Sequence, residues 1–376
     1  MGLVERICYS KFMSDNLYSL SFSLAPRVGP KGFQKLMRLF GSAEKAWKGD
    51  SADFKKAGIG EKAFAKFDGF RREFDVREYL RKLKRARVEF IPFGDKYYPE
   101  RLKKIESPPI GLFIKGDQEL LIGPQTIAVV GTRKITSYGR EVTENLVGAL
   151  CSSGFVIVSG MALGVDGIGH KSAIDNRGST IAVLGCGVDC PYPRENEKLY
   201  EEILDSNGLI VSEYPLGMSA NQGTFPARNR VIAGISLAVL ITEAAEDSGS
   251  LITAGHAVKQ GKPVFAVPGP ITSQMSKGTL KLLKQGAILV SSASDILEAL
   301  NIKNKIVNIK NTYKKLNITR EEEKILKVIE GEEWTIDEIS KLANIKIDKL
   351  STILSEMEIK GIIRNTGGKF SASFNN

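Results

Sequence analysis

The sequence predicts an α/β protein centred on a doubly wound sheet, with helices before it and a winged helix after it. Three observations carry this reading. Eight short, continuous apolar runs recur between residues 112 and 290. Helical segments of ten or more residues separate most of them, and glycine-rich turns close several runs. Continuous apolar runs suit parallel strands buried on both faces, and their alternation with helices is the signature of a doubly wound sheet.

Taken in order, residues 1–74 read as a small helical domain. "GPKGFQKLMRLFGSAEKAW" places Phe33, Leu36, Met37, Leu39 and Phe40 at helical spacing, and Ser42 after Gly41 can cap the next helix. "AGIGEKAFAKF" repeats the turn-then-helix pattern, which suits either a nucleic-acid backbone contact or plain packing. The stretch "REYLRKLKRARVEFIPFGDKYYPERLKKI" is the most basic, with a thin apolar stripe at Leu80 and Leu83 and a strand at 88–91. Its cations suit a solvated helix face. The main domain, 75–300, then carries strands at 112–114, 127–130, 155–158, 181–184, 209–212, 237–242, 264–267 and 287–290. An Asn- and Lys-rich linker is expected over 301–318. Residues 319–376 give three helices, capped at Thr319 and Thr335, and a two-stranded hairpin around Gly367 and Gly368. Asp348, Glu356 and Glu358 in the third helix are poor charge for a major-groove reader, so this tail suits DNA or protein contact.

Composition narrows the function. The chain has 376 residues and a net charge of +10. Residues 1–120 hold 25 Lys and Arg against 16 Asp and Glu, whereas 121–300 hold 14 against 16. A basic chain suggests a polyanionic partner, and a central anion site must be a local patch. No apolar run approaches a membrane span and no signal-peptide core opens the chain, so a cytoplasmic protein is expected. Cys8, Cys151, Cys186 and Cys190 fit neither a disulfide framework nor a zinc motif, and His170 and His256 are the only imidazoles. No metal or cofactor is expected.

Candidate site residues lie where strands end, the place where such sheets bind ligands. The strand at 127–130 runs into Gly131, Thr132, Arg133 and Lys134, with Ser137 near the start of a helix. That helix N-terminus attracts anions, but the motif is no dinucleotide fingerprint. "SGMALGVDGIGH" follows 155–158, with Gly160, Gly164, Gly167 and Gly169 leaving amides uncovered. Asp166 and His170, four apart, share a face if a helix starts there. They are either internal supports of the loop or a catalytic pair. Ser248, Gly249, Ser250 and Thr253 stand at a third helix start. Between 209–212 and 237–242, "NQGTFPARNRVIAG" reads as a broken loop with Phe225, Arg228, Asn229 and Arg230. One nucleotide needs one phosphate loop; a strand crossing the sheet edge uses several, plus an aromatic for stacking.

These residues resemble a known family. "YYPERLKKIESPPIGLFIKGD", "AVVGTRKITSYG", "VSGMALGVDGIGHKSAID", "STIAVLGCGVDCPYP", "SEYPLG", "FPARNRVIAG", "TEAAEDSGSLITAGHA" and "AVPGP" together resemble the bacterial DNA-processing family DprA, also called Smf. The match covers about residues 97–290. It implies an extended Rossmann-like fold, with an N-terminal small helical (SAM/HhH-like) domain and a C-terminal winged-helix domain. It implies a homodimeric, non-enzymatic single-stranded DNA-binding mediator that helps load RecA in natural transformation. Arg133 would then hold a phosphate beside Gly131 and Thr132, and Gly160 and Gly164 would supply amides. Phe225 would stack on a base, with Arg228, Asn229 and Arg230 beside it, and Ser248, Lys259 and Lys262 would add polar or positive contacts. Gln222 stands where some relatives carry lysine. Asp166 and His170 become supports of the cradle. The competing class is a nucleotide N-glycosidase or phosphoribohydrolase using Asp166, Glu213 or Glu243, although its "PGGxGT"-type loop is absent. A transcription regulator acting through the tail is the third reading.

Overall fold

The computed structural model describes residues 15–302, 319–329, 334–360 and 362–372. Cys8 and nearly all of the expected linker lie outside them. The chain divides into two compact units, one ending at Asn301 and the other starting at Ile302.

The first unit is built on a nine-stranded sheet. Its strands are β1 (Glu89–Pro92), β2 (Gly111–Gly116), β3 (Gln125–Val130), β4 (Phe155–Ser159), β5 (Thr180–Leu184), β6 (Leu209–Ser212), β7 (Ala238–Ile241), β8 (Val264–Ala266) and β9 (Ile288–Leu289). They are ordered β1-β2-β6-β5-β4-β3-β7-β8-β9. From β3 the chain winds outward through β4, β5 and β6, then returns to β7 on the other side of β3. The topological switch point therefore falls between β3 and β7. Ile127, Ala128, Val129 and Val130 of β3 are buried, as a central strand covered on both faces requires.

Two strand expectations need correction. The run at 112–114 is buried on both faces, yet β2 pairs antiparallel with both β1 and β6. A continuous apolar run reports two-sided burial, not direction. The run at 287–290 becomes a two-residue edge strand with Ile288 and Leu289 exposed. The helical N-terminal region holds an aromatic core in which Phe22 stacks on Phe67 at 5.4 Å. That core includes Ile110 just before β2, and Leu20 packs with the sheet-side cluster, so these helices and the sheet form one unit. Ser42 caps its helix as the sequence predicts, accepting from the Lys45 amide at 3.2 Å.

The second unit is a winged helix. Helices Arg320–Val328, Ile336–Ala343 and Ile347–Ile359 pack over a sheet ordered β10 (Trp334–Thr335), β12 (Lys369–Ala372), β11 (Ile363–Thr366). β10 makes three strands of the expected two. Thr319 with Glu322 and Thr335 with Glu338 form complete capping boxes. Among the described residues no helix is long and apolar enough to cross a membrane. Among the same described residues no group of three His, Cys, Asp or Glu is placed to hold a metal.

Candidate nucleic-acid interface

The loops at the C-terminal ends of β3, β4 and β7 meet at the switch point, and glycines let them meet. A Cβ on Gly131 would lie 2.5 Å from the Glu243 carbonyl oxygen, and one on Gly164 would lie 2.2 Å from that of Thr132. Gly164 also has φ +77°, a conformation that L side chains rarely adopt. The interlocked backbones are tied by the Thr132 amide donating to Glu243 O (2.7 Å) and the Val165 amide donating to Thr132 O (3.1 Å).

Glu243, which the sequence offered only as an acid for the competing hydrolase reading, organises this turn. Its buried carboxylate accepts from the Thr136 amide (2.9 Å) and hydroxyl (2.6 Å). A Cβ on Gly139 would meet this carboxylate at 2.3 Å, so glycine there makes room for it. Thr136 in turn caps the helix Ser137–Ser152 by accepting from the Gly139 amide. The turn bearing Arg133 and Lys134 is thus held from beneath, while both side chains are exposed and have no ion pair among the described residues.

The glycine-rich turn after β4 differs from an open cradle. Asp166, 6% exposed, accepts the Gly160 amide at 3.1 Å, and the amides of Ala162 and Gly131 also stabilise it. Burial pushes this carboxyl up, while the Arg228 guanidinium and those amides pull it back. The turn's inner amides are therefore occupied by the protein's own carboxylate. Gly160 serves another purpose: a Cβ there would sit 2.6 Å from the Arg228 guanidinium. His170 is fully buried and does not face Asp166. Its Nδ1 lies 2.7 Å from Thr180 Oγ1, whose hydroxyl donates to Ile157 O (2.9 Å). One hydroxyl proton cannot serve both, so Nδ1 carries a proton and Nε2 is a buried acceptor without a partner. Burial, with Arg228 adding to it, pushes this imidazole down to about 3. His170 sits inside the scaffold, whereas Asp166 borders the switch-point cleft with its carboxylate engaged by backbone amides.

The segment "TFPARNRVIAGI" is a helix, Thr224–Ile235, rather than a broken loop. Pro226 falls in the first turn, where no intrahelical donor is needed. This helix buries two of its four predicted contacts, Arg228 and Asn229. Arg228, 5% exposed, donates to Gly160 O (2.7 Å) and to Val183 O, and its Nε reaches Asn229 Oδ1 (3.2 Å). Asn229 donates onward to Gly249 O (3.3 Å), tying the helix to the loop after β7. Arg230 makes a two-pronged bond to Glu213 at 2.6 and 2.7 Å. Phe225 does reach the cleft, half-buried, with its ring centroid 5.4 Å from that of Tyr192. The Arg133 guanidinium lies 5.5 Å over its centre.

Ser248 lines the cleft at the N-terminus of the helix Ser250–Lys259, with its hydroxyl 2.8 Å from that of Ser250. Lys259 ends that helix, away from the cleft edge, and Lys262 follows it. Lys262 Nζ donates to Ala233 O (2.5 Å) and Gly234 O (2.8 Å), capping the C-terminus of the Thr224–Ile235 helix. Burial, with Arg101 nearby, lowers its amine to about 8. The structure thus gathers Gly131, Thr132, Arg133, Phe225 and Ser248 at one edge, with Gly160 and the buried Arg228 and Asn229 in the cleft wall, and leaves Arg230, Lys259 and Lys262 elsewhere.

Two adjoining clefts result. One of about 730 Å³ lies at the switch point between the Arg133 turn and the Ser248–Thr253 helix start. The other, about 540 Å³, lies over β4 and β5 and is lined by Gly185, Arg194, Ser219 and Ala220. Arg133, Tyr192, Phe225 and Arg228 border both. Tyr192 and Arg194 are exposed members that sequence reasoning did not single out, although "PYPR" directly follows the strand-end loop of β5.

Fold and site define a class: a Rossmann-like α/β protein with a cationic, aromatic-edged cleft at its switch point, a helical region before it and a winged helix after it. Residues 89–301 match the family model described as DNA recombination-mediator protein A, and the chain belongs to that family. It is 38% identical to Protein Smf of Synechocystis over 294 residues, 76% of this chain and 73% of that one. It is 43% identical to the DNA processing protein DprA of Bacillus subtilis, covering 58% and 73% of the two chains. The X-ray structure of DprA from Streptococcus pneumoniae superposes with a TM-score of 0.67 at 32% identity, over 75% of this chain and 97% of that one. A Helicobacter pylori DprA structure, described as giving insights into a unique single-stranded DNA binding mode, superposes with a TM-score of 0.52 at 36% identity. It covers 57% of this chain and 95% of that one.

Proposed function

We propose that this protein is a single-stranded DNA-binding recombination mediator that performs no catalysis. The carrying observation is the free, exposed Arg133 held over the Phe225 ring on a turn braced by Glu243. A cation and an aromatic face fixed side by side suit a phosphate and its base, whatever the sequence. Relatives that share this domain are DNA-processing proteins, and one is described by its single-stranded DNA binding. The enzyme alternative is disfavoured by His170, which is fully buried and held neutral, and by the Asp166 carboxylate, which is engaged by backbone amides at the cleft wall. In this reading the protein protects incoming strands and helps load RecA in natural transformation. It acts as a homodimer through the later part of the sheet domain, where β9 leaves an exposed apolar edge.

The test is fluorescence anisotropy of labelled oligo-dT across salt concentrations, with duplex and free nucleotides as competitors. About four phosphate contacts give a log–log salt slope near −3. Arg133→Ala reduces the slope by about 0.7, and Phe225→Ala costs about 1–3 kcal/mol of binding. Wild-type binding by Arg133→Ala, or displacement of the strand by a mononucleotide, overturns the assignment.

A further inference from the structure

The most cationic element of the chain plays no part in the cleft. The helix Val76–Ala86 buries Leu83 and half-buries Val76, Tyr79 and Ala86 against the sheet. Arg77, Arg81, Lys84 and Arg85 lie exposed on the opposite side, at spacings that put them on one face. None of these four has an ion pair among the described residues, and the helix's own acid, Glu78, is taken by Lys82 (3.2 Å). Glu78 is the one acid of this helix and is paired with Lys82, so its exposed side carries a net positive charge.

Its placement gives the charge a use. The Tyr79 hydroxyl oxygen accepts the Leu216 amide at 3.0 Å in the loop after β6. Asp189, in the loop after β5, fixes the same loop by accepting the Gly217 amide at 2.9 and 3.0 Å. Ser219 and Ala220, further along it, line the cleft that Arg133 and Phe225 border. The helix also has a defined direction. β1 follows it and runs antiparallel to β2, which runs antiparallel to β6, so β1 starts at the edge opposite the cleft. The helix therefore descends from the cleft edge, with Arg77 and Arg81 nearest that edge. From β3 to β6 is three strand spacings, about 14 Å, so cleft and helix are within one strand's reach.

We infer that the Arg77–Arg85 face is a second phosphate-binding stretch, taking up the nucleic-acid strand as it leaves the cleft beyond β6. The inference rests on the single-strand reading of the cleft and lengthens the bound segment beyond it. The partner is the same strand rather than an acidic protein, because the Tyr79–Leu216 bond sets the start of the helix beside the loop whose Ser219 and Ala220 line the cleft.

The full chain is titrated with labelled oligo-dT of about six and about twenty nucleotides across salt. The variant combines Arg77→Gln, Arg81→Gln, Lys84→Gln and Arg85→Gln, all exposed, and Arg133→Ala reports on the cleft. The fourfold variant is expected to bind the long oligomer about tenfold more weakly, with its salt slope reduced by about 2–3. Its affinity for the short one stays within about twofold. Unchanged long-oligomer affinity and slope, with Arg133→Ala impaired on both lengths, sinks the second stretch and leaves the cleft standing. Equal weakening on both lengths also overturns it, since the cations then act as a general field. An Arg133→Ala protein unimpaired on either length removes the cleft reading and the onward track with it.

Discussion

Replacing Arg228 by methionine separates scaffold from contact. The guanidinium is buried, donates to two backbone carbonyls and offsets the charge of the Asp166 carboxylate. Methionine fills the volume and leaves that carboxylate uncompensated. Leaving two buried carbonyls without their donor, and a buried carboxylate without the charge that offsets it, costs about 3–5 kcal/mol. The unit ending at Asn301 has roughly 290 described residues, so its unfolding entropy is about 0.6 kcal/mol per kelvin. The Arg228→Met protein should therefore melt about 5–8 °C below wild type at neutral pH. Losing its cation raises the Asp166 carboxyl further above its unfolded value. The folded state of the variant then takes up a proton more readily than the unfolded chain, so the deficit shrinks as pH falls. Scanning calorimetry from pH 7 to 5 measures both effects, and oligo-dT anisotropy on the same samples measures binding. A variant that melts with wild type but loses about 0.7 of salt slope would mean that Arg228 touches phosphate, and the scaffold argument would be wrong.

Other outcomes follow from the same geometry. Gly164→Ala forces a Cβ against the Thr132 carbonyl at positive φ, so it should cost more than about 2 kcal/mol and weaken strand binding by displacing the Arg133 turn; a variant that melts and binds like wild type counts against the interlock. His170 is held neutral down to about pH 3, whereas in the unfolded chain it protonates near pH 6.5. Its stabilisation is complete above that value and is lost as pH falls, by about 2 kcal/mol at pH 5. Stability–pH curves of wild type and His170→Gln that run parallel from pH 7 to 5 would refute this. Lys262→Met should lose about 1–2 kcal/mol by uncapping the Thr224–Ile235 helix while leaving the salt slope untouched; a reduced slope would place Lys262 on the DNA path.

The sheet was largely legible because buried strands announce themselves as short apolar runs, and all eight core-domain runs are strands. Direction was not legible: β2 is as apolar as β5, and only its pairing makes it antiparallel. Pro226 and Gly223 hid a helix, although proline in a first turn is compatible with one. The cations were the harder case. Arg228 turns inward because Gly160, distant in sequence, lacks the Cβ that would block it, and no local pattern announces such a pairing. Lys259 and Lys262 could have been placed correctly. A ten-residue helix starting at Ser250 carries its last residues about 15 Å from the cleft edge.

Asp166 sets a rule for competition inside a cell. Rossmann-like folds commonly offer the turn after an early strand to a free phosphate group. Here that seat is filled by a covalently attached anion at an effective concentration no metabolite can match. A small phosphate compound would meet that carboxylate at the turn, so on the proposed reading a ligand must hold by several outlying points at once. If the cleft takes a strand as proposed, such an arrangement trades tight capture of one phosphate for a distributed grip on many, which would favour polymer over monomer before any base is read.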